Sequence, residues 1–271
     1  MRVHGYLSGN PVHDRVVRAF MAGVPEEHQC LLIDNWEYKD PDVVVVFGVY
    51  KRKVPISWPR GGVLKKHWSK TAVILETGYV ERGDGEDNYY AAGLNGLNNR
   101  ADFRNKDMPG DRAKDIELHD WKKGDHVLLC GQIPWDASCQ HVDLPQWLKH
   151  TASKIRDHTT RPIMYREHPL MKGTIDVGAD YVSQADLKTD LLNAHCVVTF
   201  NSNTSVDAIL AGVPAFVFDE GAMSWDVANH TLEKMPVPNT PDRQQWLNNL
   251  MYTQWRPNEM SEGKAWRHLF R

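Results

Sequence analysis

Five small polar residues in a row, Asn201, Ser202, Asn203, Thr204 and Ser205, separate an apolar run at 196–200 from a short helical pattern that stops at Gly212-Val213-Pro214. A second apolar run, 215–218, follows. Read as strand, turn, helix and strand, the segment brings hydroxyls, side-chain amides and the free backbone N–H groups of a helix start to the carboxyl edge of a parallel sheet. Such groups bind phosphate without burying a cation beside it, and that edge is where open α/β sheets hold ligands. A helix cap needs one Ser, Thr or Asn; five are more than capping requires.

Two carboxylates stand at comparable places. Glu76 closes the apolar run 72–75, and Asp136 lies in a turn shortly after the apolar run 127–130. Either suits a general base or the nucleophile of a double displacement, and for both the plainer alternative is a turn cap. Residues 51–70 carry seven cations, Lys51, Arg52, Lys53, Arg60, Lys65, Lys66 and Lys70, without one acid, and Trp58, His67 and Trp68 are interleaved. Cations with aromatics suit a phosphate backbone and exposed bases, a solvated face being the alternative. Asp84, Glu86 and Asp87 sit in a Gly-rich stretch lacking the flanking strands a hard cation site needs, so no metal is assigned there.

The elements that position these residues follow from patterning. Strands are expected at 3–7, 30–33, 42–49 and 71–76, with a helix at 13–22; the run Val43-Val44-Val45-Val46-Phe47 marks a strand buried on both faces. Residues 81–108 read as a long loop. A second series begins after 123: strands at 126–130 and 162–165, helices at 144–156 and 187–194, then the polar segment. Alternating strands and helices imply parallel sheets with crossovers. The expectation is therefore an α/β chain of two Rossmann-like domains facing a central cleft, 1–123 and 124–241, with helices at 242–271 packing back across both.

Composition is that of an ordinary globular chain: 271 residues, 25% charged, 41% hydrophobic, formal net charge −3. No apolar run approaches the length of a membrane span, and nothing at the start reads as a secretory leader. The four cysteines show no CxxC pairing, which fits reduced thiols, and the thirteen histidines form no metal-ligand cluster. A cytoplasmic location, in a bacterium or a phage-infected host, is expected, with no obligate protein partner.

Three motifs stand in order: Gly131-Gln132-Ile133-Pro134-Trp135-Asp136-Ala137-Ser138, then Arg166-Glu167-His168-Pro169, then 201–214. Their order resembles the donor half of a GT-B glycosyltransferase, most of all the capsule-polysaccharide, Kdo-transferase-like group. More loosely, Glu76-Thr77-Gly78-Tyr79-Val80-Glu81-Arg82 is similar to an acidic-Gly-aromatic-x-Arg motif of that group's other half, with Thr77 where an acid is common. The resemblance implies a metal-independent sugar transfer from a UDP- or CMP-linked donor, with no further cofactor. It puts Gln132, Ser138, Arg166, His168 and 201–205 at the donor, and Glu76 and Asp136 at the chemistry.

The basic segment falls in the other half, so the favoured acceptor is a hydroxymethylated base in duplex DNA, as in phage-type modification enzymes. Lys51, Arg52, Lys53, Arg60, Lys65 and Lys66 would hold the DNA, with Arg100 and Arg104 nearby and Trp58, Tyr79, Tyr89 and Tyr90 lining a pocket for a flipped base. A capsule-type transferase, a nucleotide-sugar epimerase and a non-catalytic nucleotide-binding protein are the other readings.

Overall fold

The structure, a computed structural model, describes residues 1–171 and 173–271. It divides into two compact units, Met1–Ala113 with Leu247–Arg271, and Lys114–Trp246. Labels below run in chain order.

In the first unit, β1 (Arg2–Tyr6), β2 (Gln29–Ile33), β3 (Val43–Phe47) and β4 (Thr71–Thr77) are parallel. β5 (Tyr90–Leu94) runs antiparallel to β4, and β11 (Gln254–Trp255) antiparallel to β5. The order β2-β1-β3-β4-β5-β11 reverses direction between β1 and β3, so the crevice for a ligand opens above the carboxyl ends of those two strands. Every residue of β3 is buried. Val43, Val45 and Phe47 pack with Val16, Val17, Phe20 and Met21 of α1 (Pro11–Ala22), while Val44 and Val46 pack with Val63 of α2 (Trp58–Lys66). Full burial of each such side chain contributes about 1.5–3 kcal/mol. Asn10 starts α1: its side chain accepts from the N–H groups of Val12 and His13, and Pro11 takes the first helical position. Trp255, Met260 and Trp266 join the same core, so residues 247–271, expected within helices at 242–271 packing back across both domains, belong to this unit.

In the second unit, β6 (His126–Cys130), β7 (Ile163–Arg166), β8 (Tyr181–Val182), β9 (Ala194–Thr199) and β10 (Ala215–Val217) form an all-parallel sheet in the order β8-β7-β6-β9-β10. Counted along the unit this is 3-2-1-4-5, the dinucleotide-fold order, with its switch point between β6 and β9. Leu144, Leu148, Ala152 and Ile155 of α3 (Leu144–Ile155) cover one face; α4 (Leu187–Leu192) and α5 (Thr204–Leu210) follow β8 and β9. The unit begins ten residues earlier than the expected boundary near 123. The His119 N–H donates to the Leu210 carbonyl and the Lys122 N–H to the Gly212 carbonyl, tying that stretch to the end of α5. Gly212 is required there: its φ is +74°, and a side chain would run into the Asp120 carbonyl.

The loop reading of 81–108 missed β5. Its sequence, Tyr90-Ala91-Ala92-Gly93-Leu94, has no alternation because all five residues are buried, and a Cβ on Gly93 would meet Phe103.

Four histidines are nearly sealed: His4, His67, His195 and His268. Burial is the largest cause holding each below the ordinary imidazole value. Nε2 of His67, His195 and His268 meets the carbonyls of Thr71, Met235 and Phe103, which suits the neutral Nε2–H tautomer. Below about pH 6.5 the unfolded chain takes up protons that the folded chain resists, so stability is full above that pH and falls as pH drops. The urea midpoint is therefore expected to fall steeply from pH 7 to pH 5, and a flat profile would contradict neutral burial.

Candidate functional site

The carboxyl ends of β6, β7, β9 and β10 carry the polar loops of the second unit. Gln132, after β6, and Asn201, after β9, are both buried and bond to each other twice. Gln132 Nε2 donates to Asn201 Oδ1 at 2.8 Å, and Gln132 Oε1 accepts from the Asn201 N–H at 3.0 Å. Asn201 Nδ2 then donates to the Ser138 carbonyl and to Asp219 Oδ1, each at 2.9 Å. Asp219 Oδ1 also accepts from the Gly221 N–H, and His141 Nε2 lies 3.5 Å from its Oδ2. Three strand-end loops are thereby locked together. Asp136 Oδ1 accepts from the N–H and hydroxyl of Ser138 at 3.1 and 3.0 Å, which fixes the turn after β6.

His168 is half-buried in the loop after β7. Its Nδ1 accepts from the Leu170 N–H at 3.1 Å, which leaves the proton on Nε2, and that atom has no partner among the described residues. Burial holds the imidazole below its ordinary value, against the opposing pull of Asp136 and then Glu167. It is a neutral hydrogen-bond donor at neutral pH, within the field of Asp136. Glu167 is occupied by the loop itself, accepting from the N–H groups of His168 and Ile175.

Several residues expected at a donor are engaged within the unit. Arg166 Nη1 donates to Asp190 Oδ2 at 2.7 Å and to the Ala185 carbonyl at 2.6 Å, so its charge neutralises a buried carboxylate of α4. Ser205 is fully buried; its hydroxyl donates to the Ser202 carbonyl and accepts from Ser224. The Thr204 hydroxyl is shielded from solvent and sits beside the Cys130 thiol, which burial pushes up to about 12. Gln132 and Asn201 hold the loops by the bonds above. Ser202, whose Oγ accepts from the Thr204 N–H, and Asn203 remain half-buried at the turn. A cavity of about 610 Å³ elsewhere in this unit, lined by Leu187, Leu191, Leu192 and Leu210, belongs to the helix layer and not to these loops.

The first unit has its own polar cluster above β1, β3 and β4. Gly48 follows β3 with φ +72°; a Cβ there would lie 3.0 Å from Arg60 Nη1 and 3.6 Å from Glu76 Oε2. Arg60, expected on a DNA-binding surface, is buried: Nη1 donates to the Val49 carbonyl, and the guanidinium lies over Trp36 at 5.9 Å. Burial lowers its pKa and the Glu76 charge opposes that. Glu76 Oε1 accepts from the Thr77 N–H at 3.1 Å. His67 is also internal, and Lys70 is paired with Asp40 at 2.7 Å. Arg52, Lys53, Lys65 and Lys66 are exposed, with Trp58 and Trp68, and Lys51 is half-buried. Tyr79 and Tyr90 are buried, so they do not line an open base pocket.

Sequence reading passed over His13, Asp219 and Gly48. A signal existed for the first: Ser8-Gly9-Asn10-Pro11 after an apolar run is a strand-to-helix turn like the one at 201–205. Among the described residues no group of three or more His, Cys, Asp or Glu could hold a metal ion, and no helix is long and apolar enough to cross a membrane.

No protein-family model and no curated protein matches the chain. Solved structures do. Thermosulfurimonas dismutans KpsC, beta Kdo 2,7 transferase, superposes with TM-score 0.59 at 13% identity, over 100% of both chains. The beta Kdo 2,4 transferase of the same KpsC gives 0.57 at 13% identity, over 93% of this chain and 90% of that one. The chain shares their fold. The expected α/β, GT-B-like architecture with Rossmann-like sheets is thus the one present. The UDP-GlcNAc 2-epimerase from Methanocaldococcus jannaschii overlaps only at TM-score 0.33 and 12% identity, over 100% of this chain and 99% of that one.

Proposed function

We propose that the chain transfers a sugar from a nucleotide-sugar donor, held by the second unit, to a hydroxyl of a saccharide acceptor. One observation carries the reading. At a single edge of a 3-2-1-4-5 sheet, the loops after its first, second and fourth strands present Asp136 and Ser138, His168, and Ser202 with Asn203. A neutral Nε2–H donor beside half-buried hydroxyls and amides stabilises a departing phosphate by hydrogen bonding, in water-poor surroundings where such bonds count most. This scheme uses no metal. Gln132 and Asn201 act as the frame, and Asp136 stands beside His168 as the carboxylate of this half.

The saccharide acceptor is favoured by likeness to two Kdo transferases, and the same likeness favours a Kdo-type sugar on the donor, UDP- or CMP-linked. The DNA reading has lost Arg60 and His67 to the interior and rests on the exposed Arg52, Lys53, Lys65 and Lys66.

The test is nucleotide release from CMP- and UDP-linked sugars with simple glycans or hydroxymethylated duplex DNA as acceptor. Release that needs a glycan supports the proposal; release only with DNA would move the acceptor assignment to nucleic acid. No release and no donor binding with any nucleotide sugar would sink the transferase reading. Asp136→Asn is expected to reduce turnover at least a hundredfold while calorimetric donor binding persists. Wild-type turnover in that variant would remove Asp136 from the chemistry.

A further inference from the structure

We propose that the cavity between α4 and α5 of the second unit binds a single-chain anionic amphiphile: an aliphatic chain lies among its leucines, and a carboxylate or phosphate head meets Lys122 and Lys188. The site is separate from the donor loops and stands independently of the transferase reading.

Three stretches of chain enclose the cavity of about 610 Å³: α4, the carboxyl-terminal part of α5, and residues 117–122. All three belong to the second unit. Each is fixed by bonds made away from the cavity. Asp186 starts α4 by accepting from the Thr189 N–H, and Asp190, one turn on, holds Arg166 at 2.7 Å. Val206, Ala208 and Ile209 of α5 are buried. Residues 117–122 are tied to the end of α5 at both His119 and Lys122, by the backbone bonds to Leu210 and Gly212. Walls held in this way do not close on one another. The volume falls within the roughly 300–1,000 Å³ typical of small-molecule pockets, and apolar cavities that cannot collapse take up apolar ligands.

The interior is aliphatic. Leu187, Leu191, Leu192, Leu210 and Ala211 line it, and no Phe, Tyr or Trp does. Leu191 is 4% exposed and its neighbour Leu192 is 63% exposed, so leucine surface reaches from the interior to the mouth. The charged side chains of the lining are exposed or half-buried, which puts them at the rim. A planar polar ligand would need a ring to stack on or a buried hydrogen-bonding group to orient it. A flexible hydrocarbon chain needs neither.

The rim decides the head group. Glu117 Oε1 lies 3.2 Å from His119 Nδ1. Asp120 supplies counter-charge to the buried Arg243, and Asp207 is engaged as well. Lys122 and Lys188 have no ion-pair partner among the described residues, so the unmatched charge at the mouth is positive. Lysine stems lie along apolar surface while their ammonium groups stay in water, the arrangement that meets an anionic head above a buried chain. Because α5 runs back from the carboxyl edge of the sheet, Leu210 and Ala211 lie toward its other end, away from Ser202 and Asn203. An occupant therefore does not compete with a donor.

The experiment is calorimetric titration of the wild type with decanoate and with decanol, both monomeric in solution. It is repeated with the double variant Lys122→Gln, Lys188→Gln, with Ala211→Phe and with Leu192→Glu, and the urea midpoint of each is measured alongside. The wild type is expected to bind one decanoate per chain, and decanol about tenfold more weakly. Loss of both lysines should weaken decanoate by about tenfold and bring it level with decanol. Ala211→Phe fills the cavity and should abolish binding of both probes. If that variant fails to fold, Leu192→Glu, at an exposed position, takes its place: a carboxylate at the mouth should weaken decanoate and leave the midpoint where it was. Saturating CMP, UDP or a nucleotide sugar should displace neither probe. The proposal is overturned if the wild type shows no saturable binding, or if decanoate binds undiminished to both Ala211→Phe and Leu192→Glu. Displacement by a nucleotide would put the probe on the donor loops, and equal wild-type affinity for the two heads would remove the lysines from the site; either result overturns it. So does binding to anionic vesicles with none to monomeric decanoate, which would put the lipid on the outer surface. None of these outcomes depends on whether the chain transfers a sugar.

Discussion

Asn201→Asp is expected to destabilise the second unit by about 3–5 kcal/mol near neutral pH, and by much less near pH 4. The asparagine Nδ2 gives both its protons away, to the Ser138 carbonyl and to Asp219 Oδ1. An aspartate would turn both contacts into oxygen facing oxygen, one of them carboxylate against carboxylate, in a nearly sealed position. The new group would hold its proton to unusually high pH. A folded-state pKa raised above the unfolded one means that the penalty is present above about pH 4 and grows until the folded pKa is passed. Urea midpoints of the two chains, compared at several pH values, check this, because the acid sensitivity of the buried histidines cancels in the difference. If Asn201 instead pointed at a donor, the variant would keep its midpoint and lose donor affinity.

Arg166→Met is the second large effect, again about 3–5 kcal/mol. The substitution keeps most of the side-chain volume but strands the Asp190 carboxylate, whose side chain is 3% exposed and whose other partner is the Ser183 hydroxyl at 2.7 Å. Cutting one member of a buried pair costs far more than the pair contributes, so Arg166→Met combined with Asp190→Leu should recover most of the loss. A double variant no more stable than the single one would mean that the strand-end geometry itself depends on the ion pair. A raised donor KM with an unchanged unfolding midpoint would return Arg166 to the donor.

These two residues show where sequence reasoning reached its limit. The elements were legible: β3 from its valine run, β6 and β9 from theirs, α1 and α3 from apolar spacing. So was the convergence of three loops on one sheet edge, since parallel strands alternating with helices put every strand end on the same side. Side-chain direction was not. A row of Asn, Ser and Thr at a strand-to-helix turn has the same composition whether it faces a ligand or knits loops together. What separates the cases here is Gln132, 69 residues from Asn201 in the chain, and Ser224 beside Ser205. Arg60 misled for a related reason: nothing local shows that one cation of seven turns inward to meet Glu76. The strand β5 was missed because Ala91-Ala92-Gly93 has none of the β-branched residues that mark β3, and β11 because it is only two residues long.

The division of the chain into its units decides which part can stand by itself. The second unit opens and closes in one place: the Trp121 indole donates to the Pro241 carbonyl, Arg243 stacks on the Trp121 ring at 3.7 Å, and its guanidinium bonds the His119 carbonyl. That unit is one continuous stretch of chain, Lys114–Trp246, and so carries its whole core within its own sequence. The first unit is interrupted by it. Its sheet takes β11, and its core takes Trp255, Met260 and Trp266, from beyond that stretch, so a cut at Trp246 uncovers the apolar face of α1 and leaves the second unit's core intact.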